Sequence, residues 1–296
     1  MAAHGKSERN IQNYFVVGQF VIFQDQQYEI RKVGKPTCSE GHGEPKTDVY
    51  ILLKNTDKEI ELKISYKKSN ADFLENKIKA ERAEQILGKD WSLIIERATR
   101  QLTKEFERKP LIYLSQRGRT QKGSITLGWR FEFMNKKSGE LSEKLPLTLE
   151  QYLDIYSGNN LSDEKRNAKV CGEIIVNSGV ANYFLQGNEF SSAQDVLAHI
   201  EPMDEYITNC PEIYFSCKAL NYRTFSRKIE GNRDLAVLVD WNIDNGKLTP
   251  KLVFSQPLQC KGRTAKDKLV ENLEQLGIQT TDDINANNTD INCIYQ

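Results

Sequence analysis

No apolar run in the 296-residue chain is long enough to cross a bilayer, so a membrane-spanning helix is not expected. The stretch Met1 to Asn10 lacks the hydrophobic segment of a secretory signal, and a cytoplasmic protein is the expectation. Histidine is scarce, with only His4, His42 and His199, and none sits in a nucleophile motif. A histidine-rich transition-metal site is equally poorly supplied. The six cysteines, at 38, 171, 210, 217, 260 and 293, form no Cys-x-x-Cys pair. Cys210 and Cys217 are the closest couple, without a nearby histidine to complete a zinc set. Scattered reduced thiols of a cytosolic protein are expected. Charge of one sign is also missing, since 41 Lys and Arg meet 41 Asp and Glu. A protein that only coats nucleic acid is usually strongly basic. Neutrality disfavours such a coat and suits an enzyme whose basic groove is balanced by acidic ligands and an acidic outer surface.

What is present is a globular composition, 39% hydrophobic and 28% charged, with enough chain for a real core. Residues 5 to 14 read as a short lead-in. Strands are expected at Tyr14–Phe23, Gln27–Val33, Thr47–Lys54 and Glu59–Tyr66, the last two joined by a four-residue turn as an antiparallel hairpin. Gly34 to Gly43 is a turn-rich loop. Helices are expected at Asn70–Leu87, Trp91–Glu107, Leu147–Tyr156, Ser162–Lys169 and Thr264–Leu276. Between them lie strand-like pieces at Leu111–Ser115, Ser124–Met134, Gly172–Asn177, Asn182–Leu185, Glu212–Leu220, Leu235–Ile243 and Lys247–Ser255. The fold class is α/β of the mixed α+β kind, a central mixed sheet flanked by helices. A boundary near residue 145 divides a core, 1–145, from a β-rich part, 146–296, of recognition or dimerisation character.

The informative segment is Gly43-Glu-Pro-Lys-Thr-Asp48 followed by Glu61-Leu-Lys63. Thirteen positions separate Asp48 from Glu61. Across a tight hairpin both carboxylates are expected near one end. On a strand alternate residues share a face, so Glu61 and Lys63 point one way while Leu62 enters the core. Two carboxylates and an amine suit Mg²⁺, which takes hard oxygen ligands and is typically held by one or two carboxylates plus substrate phosphate. Such a metal lowers the pKa of bound water and stabilises charge on phosphate. Lys63 would orient the water or offset transition-state charge, and the Leu62 carbonyl is a further ligand candidate. Acidic-x-Lys triplets also occur at Glu44-Pro-Lys46, Glu75-Asn-Lys77, Glu107-Arg-Lys109 and Asp163-Glu-Lys165, the last three in helical patterns. The bland alternative is a solvated hairpin face of alternating charge.

Glu44-Pro-Lys-Thr-Asp48, Glu61-Leu-Lys63 and Ser65-Tyr-Lys-Lys68 together resemble the active-site signature of the PD-(D/E)xK nuclease superfamily, closest in style to type II restriction endonucleases. The resemblance spans roughly residues 44 to 87. It departs from the family pattern in that two residues separate Pro45 from Asp48. It implies a restriction-endonuclease-like core, Mg²⁺ dependence and phosphodiester hydrolysis, with Asp48 and Glu61 as metal ligands and Lys63 as the catalytic lysine. Lys67 and Lys68 could clamp a phosphate, and Glu75 or Glu44 could add an acid.

A nuclease also needs cations to position the DNA backbone. Arg117, Arg119 and Lys122 lie in one loop. Tyr222, Arg223, Arg227 and Lys228, with Arg233, interleave aromatic and basic side chains, and Arg263 precedes the last helix. Arg and Gln are suited to bidentate contact with G and A; ordinary solvated loops are the alternative. The expected partner is double-stranded DNA, cut site-specifically by a homodimer, a heterodimer remaining open. A junction-resolving nuclease and a non-catalytic DNA-binding or phage-defence protein are the rival expectations.

Overall fold

The structure, a computed structural model, describes residues 3–38, 43–209 and 212–296, with side chains from Ser7 onward. His42, Cys210, the side chain of His4 and the middle of the Gly34–Gly43 loop lie outside the described residues. It is 27% helix and 33% strand, with mixed sheets flanked by helices, which is the α+β class expected.

The chain forms two compact units and crosses between them three times. The first leg belongs to unit 1 and holds α1 (Ala3–Tyr14), β1 (Phe20–Phe23), β2 (Gln26–Gly34), β3 (Val49–Lys54) and β4 (Glu59–Lys67). The second, in unit 2, holds β5 (Phe73–Glu75), α2 (Ala80–Leu87), α3 (Trp91–Arg100), α4 (Thr103–Glu107), β6 (Ile112–Tyr113), β7 (Ser124–Met134) and β8 (Ser142–Lys144). A third leg returns to unit 1 as α5 (Leu149–Ser157), α6 (Asp163–Arg166), β9 (Lys169–Val170), β10 (Glu173–Ile174), β11 (Tyr183–Gln186), α7 (Ala193–His199), β12 (Glu201–Pro202) and α8 (Met203–Thr208). Unit 2 is completed by β13 (Tyr214–Arg223), β14 (Lys228–Ile229), β15 (Asp234–Leu235), β16 (Val237–Asp244), β17 (Lys247–Val253), β18 (Cys260–Lys261), α9 (Gly262–Gln275) and β19 (Ile294–Tyr295). A seam does fall at 146/147, close to the expected boundary, but it is one of three, so 1–145 and 146–296 are not the two units.

Unit 1 is a six-stranded sheet in the order β1-β2-β3-β4-β11-β12, antiparallel throughout except for the parallel pair β4–β11. Alternation along β3 and β4 sends Val49, Ile51, Leu53, Leu62 and Ile64 to one face, where they pack with Ile11 of α1, Phe15 just after it, and Val196 and Leu197 of α7. On the other face Phe184 stacks on Tyr206 of α8 and meets Tyr156 of α5 edge-on. In unit 2 the path β14-β13-β7-β16-β17 carries an aromatic core. Phe131 stacks on Phe215 at 5.2 Å, and Phe106 of α4 meets Trp129 at 4.9 Å. Among the described residues no helix is long and apolar enough to cross a membrane.

Several elements differ from expectation: the helix expected over Trp91–Glu107 is two, α3 and α4, and that over Ser162–Lys169 is only α6, with Lys169 in β9. The lead-in is α1, because Ile11 and Phe15, four apart, bury one stripe against the sheet; the strand expected from Tyr14 begins only at Phe20. The helix expected over Asn70–Leu87 is α2 only in its second half. Its first half includes β5, whose Phe73 and Glu75 pair with Met134 and Phe133 of β7, so sheet pairing overrides helical patterning.

Candidate functional site

The β3–β4 hairpin forms in the expected place, and its register decides which side chains can meet. Tyr50 pairs with Lys63, Ile51 with Leu62 and Leu52 with Glu61. Glu61 and Lys63 share the face away from the α1–α7 core, with Lys63 Nζ 3.7 Å from Glu61 Oε2. The Tyr50 hydroxyl donates to Glu61 Oε1 at 2.6 Å. Burial and this carboxylate together push the Tyr50 phenol up. Asn182, just before β11, fixes the strand from its other edge. Its side chain donates to Glu61 O at 2.9 Å and accepts from Lys63 N–H at 2.8 Å, while its own N–H donates to Lys63 O at 2.9 Å.

These bonds also settle Leu62. Backbone groups alternate along a strand, and those of Glu61 and Lys63 turn toward Asn182. The Leu62 carbonyl therefore faces β3, where Leu62 pairs with Ile51. Its side chain is fully buried as expected, but a carbonyl inside the ladder is not open to a metal.

Asp48 does not join Glu61 and Lys63. Its N–H donates to Ile64 O at 2.8 Å, although the register gives Ile64 to Val49, so the pairing slips by one residue where β3 starts. The carboxylate Oδ2 then accepts the Tyr66 N–H at 2.8 Å. Tyr66 is five residues beyond Glu61 on the same strand, about 16 Å, which is more than a glutamate side chain spans. The expectation of one centre made of Asp48, Glu61 and Lys63 is thus replaced by two separate clusters.

The second cluster was not visible in the motif. Half-buried Asp48 stands in the field of Lys67 from the end of β4, Glu8 from α1 and Lys35 just after β2. Lys35 Nζ pairs with Glu8 Oε2 at 2.6 Å, and Gln12, one turn after Glu8, donates to Asp48 O at 3.4 Å. Burial lifts the Asp48 carboxyl to about 6; Glu8 adds to that shift, while Lys67, the Tyr66 N–H and Lys35 oppose it. Burial works against the Lys35 ammonium, but Glu8, Asp48 and Glu44 outweigh it and raise its pKa. Glu44 itself is exposed. Glu75 lies in unit 2, where Arg82 Nη2 holds it at 2.8 Å, so it adds no acid here. The only advance signal for Glu8 was the i, i+4 spacing of Ile11 and Phe15, which makes the lead-in a helix and gives Glu8 and Gln12 a common side.

In unit 2 the expected DNA-contacting residues divide. Tyr222 is 5% exposed within β13, opposite Ile125 and Ile229, so it cannot stack on a base. Arg223 is taken by Glu230, with Nη2 2.7 Å and Nε 3.0 Å from Oε1. Lys122, beside Phe225, lies at one end of the sheet, where Gly123 O accepts the Thr224 N–H at 2.8 Å. Gly123 has φ +87°, and a Cβ there would stand 2.3 Å from the Phe225 ring, so glycine is required for the approach. Lys122 lies over Phe225 and pairs with Asp282 at 2.8 Å, and Arg117 stacks on Tyr295. Arg119, Arg227 and Lys228 are exposed, and Phe225 is 50% exposed. Arg263 is exposed at the start of α9, and Arg233 is half-buried. Lys67 and Lys68 are half-buried in unit 1.

No family model, curated protein or solved structure matches the chain. Among the described residues, no three His, Cys, Asp or Glu side chains gather as a metal-binding group. Asp48 and Glu8 are two carboxylates close enough for Glu8 to raise the Asp48 pKa.

Proposed function

We propose that the chain is a Mg²⁺-dependent DNA endonuclease of the site-specific, restriction type, centred on Asp48 with Glu8, Lys35 and Lys67. One observation carries this reading. Two carboxylates and two ammonium groups, delivered by four separate elements, converge where burial and a like charge lift Asp48 to about 6. Such an arrangement costs stability and recurs at sites of chemistry. One or two carboxylates with substrate oxygens are a sufficient Mg²⁺ set, and Asp48 and Glu8 would hold the ion. When bound, the ion supplies a lowered water pKa and charge stabilisation on phosphate. Lys67 holds the scissile phosphate or the attacking water, and Lys35 positions Glu8 through their 2.6 Å ion pair. Tyr66 N–H fixes the Asp48 carboxylate in one orientation. Glu61, Lys63 and Tyr50 then serve the hairpin rather than the chemistry. Exposed Arg119, Arg227 and Lys228 supply backbone contacts to duplex DNA. A cytoplasmic homodimer, one centre for each strand, completes the reading.

The test is cleavage of supercoiled and branched DNA with Mg²⁺ or EDTA. Asp48→Asn, Glu8→Gln and Lys67→Met are expected to lose roughly 100-fold or more, with Glu61→Gln close to wild type. Discrete fragments support site specificity, and cutting confined to branched duplexes would make it a junction nuclease. Loss in Glu61→Gln with Asp48→Asn active would return the centre to the Glu61–Lys63 face. No cleavage of any DNA overturns the enzymatic reading.

A further inference from the structure

In unit 2, β7 and β13 pair so that Arg130 stands directly opposite Lys218 and Glu132 opposite Ser216. Phe131, Phe133, Phe215 and Cys217 take the alternate positions and fill the core. The other face therefore carries two like charges in direct cross-strand register, a pairing that destabilises a sheet. What offsets it lies on that same face. Glu132, only 5% exposed, meets Arg130 Nε at 2.9 Å, and Lys218 Nζ donates to Ser138 Oγ at 2.8 Å. Arg233 also acts on Glu132, and it acts on Asp234, which pairs across with Lys261 and feels Lys79 as well.

Arg130, Lys218, Arg233, Lys261 and Lys79 thus lie about two buried carboxylates, Glu132 and Asp234, with half-buried Asp240, itself paired with Lys268, near Asp234. Lys79 and Lys261 are exposed and the other three cations are half-buried. The acids form a floor that holds the cations in place, while the outward charge is positive on a chain whose net charge is zero. The cations come from the approach to α2, from β7, from β13, from the connection before β15 and from β18. Five cations carry more charge than a single phosphate offsets, whereas a polyanion can match them. Arg130 is six residues along β7 from Ser124, about 20 Å from the loops around Phe225, so the two basic regions are distinct.

The geometry points to a binding face for the phosphodiester backbone of duplex DNA, built from Arg130, Lys218, Arg233, Lys261 and Lys79 over Glu132 and Asp234. The choice of duplex DNA as the polyanion rests on the proposed nuclease activity; the face itself does not.

The test uses the full chain in EDTA, so that cleavage plays no part. A fluorescein-labelled blunt duplex is titrated at several salt concentrations, with wild type, Lys218→Gln/Arg233→Gln, Arg233→Gln alone and Lys54→Gln. The double variant is expected to bind about tenfold or more weaker, with the slope of log K against log salt reduced by about 2. Arg233→Gln, at a residue in a connection between strands, is expected to lower the slope by about 1 with an unchanged thermal midpoint. Lys54→Gln, at an exposed lysine of unit 1 outside both sites, is expected to bind nearly as wild type does, which separates the face from a general loss of positive charge. Equal affinity and slope in wild type and both Arg233→Gln variants overturns the face, as does preference for single strands or absence of duplex binding by wild type. Binding through the face by a protein that never cleaves would sink the nuclease reading and leave the face standing.

Discussion

At the residue scale, Asp48 carries the sharpest consequence. Its carboxyl is raised from 3.8 to about 6, so the folded chain holds this proton more tightly than the unfolded chain does. The charge therefore costs stability above about pH 6, and the cost fades as pH falls toward 4. In EDTA, Asp48→Asn keeps an oxygen for the Tyr66 N–H and removes the charge. It is expected to be roughly 1–3 kcal/mol more stable than wild type near pH 8, with the gap closing near pH 4.5 by urea denaturation. A gap that widens on acidification would contradict the sign. The burial of Leu62 and the shared face of Glu61 and Lys63 were legible in the sequence because period-two alternation is local. The slip at Asp48 was not, since it is produced by the strand opposite. Glu8 and Lys35 were hidden for the same reason, being 40 and 13 positions from Asp48 in sequence.

At the element scale, β4 is set by its neighbours rather than by its own pattern. Asn182 bonds Glu61 O and Lys63 N–H through its side chain. Asn182→Ala is expected to cost roughly 2 kcal/mol by leaving two sheet groups unpaired. Faster hydrogen exchange of the Lys63 amide and a lower denaturation midpoint would report it; an unchanged Lys63 amide would refute the clamp. The hairpin itself was readable, because apolar and β-branched residues flank a short turn. The helix expected over Asn70–Leu87 was half right, because Phe73–Glu75 finds a partner in β7 that lies some sixty positions on. In the same way Tyr222 was legible as aromatic among basic residues, but the pairing that buries it in β13 was not.

At the scale of the whole molecule, the chain is interleaved. β11, which flanks β4, and β13, which flanks β7, both lie beyond residue 146. A fragment ending at residue 145 holds half of each unit, and it is expected to show no cooperative unfolding by circular dichroism. A sharp transition for that fragment would mean that the first half folds alone. The mixed-sheet class was legible from composition and element types, whereas the interleaving depends on long-range pairings that no local pattern encodes.

The pairing of β19 with β6 bears on how the protein is made. Ile294 and Tyr295 lie parallel to Ile112 and Tyr113, so the second-last residue of the chain completes a strand contact for one of the earlier strands of unit 2. Synthesis runs from the N-terminus. Residues 294 and 295 must therefore leave the ribosome before that edge can close, and until then β6 waits with its backbone open to other strands. Any nascent-chain chaperone that serves this protein would be needed longest at unit 2.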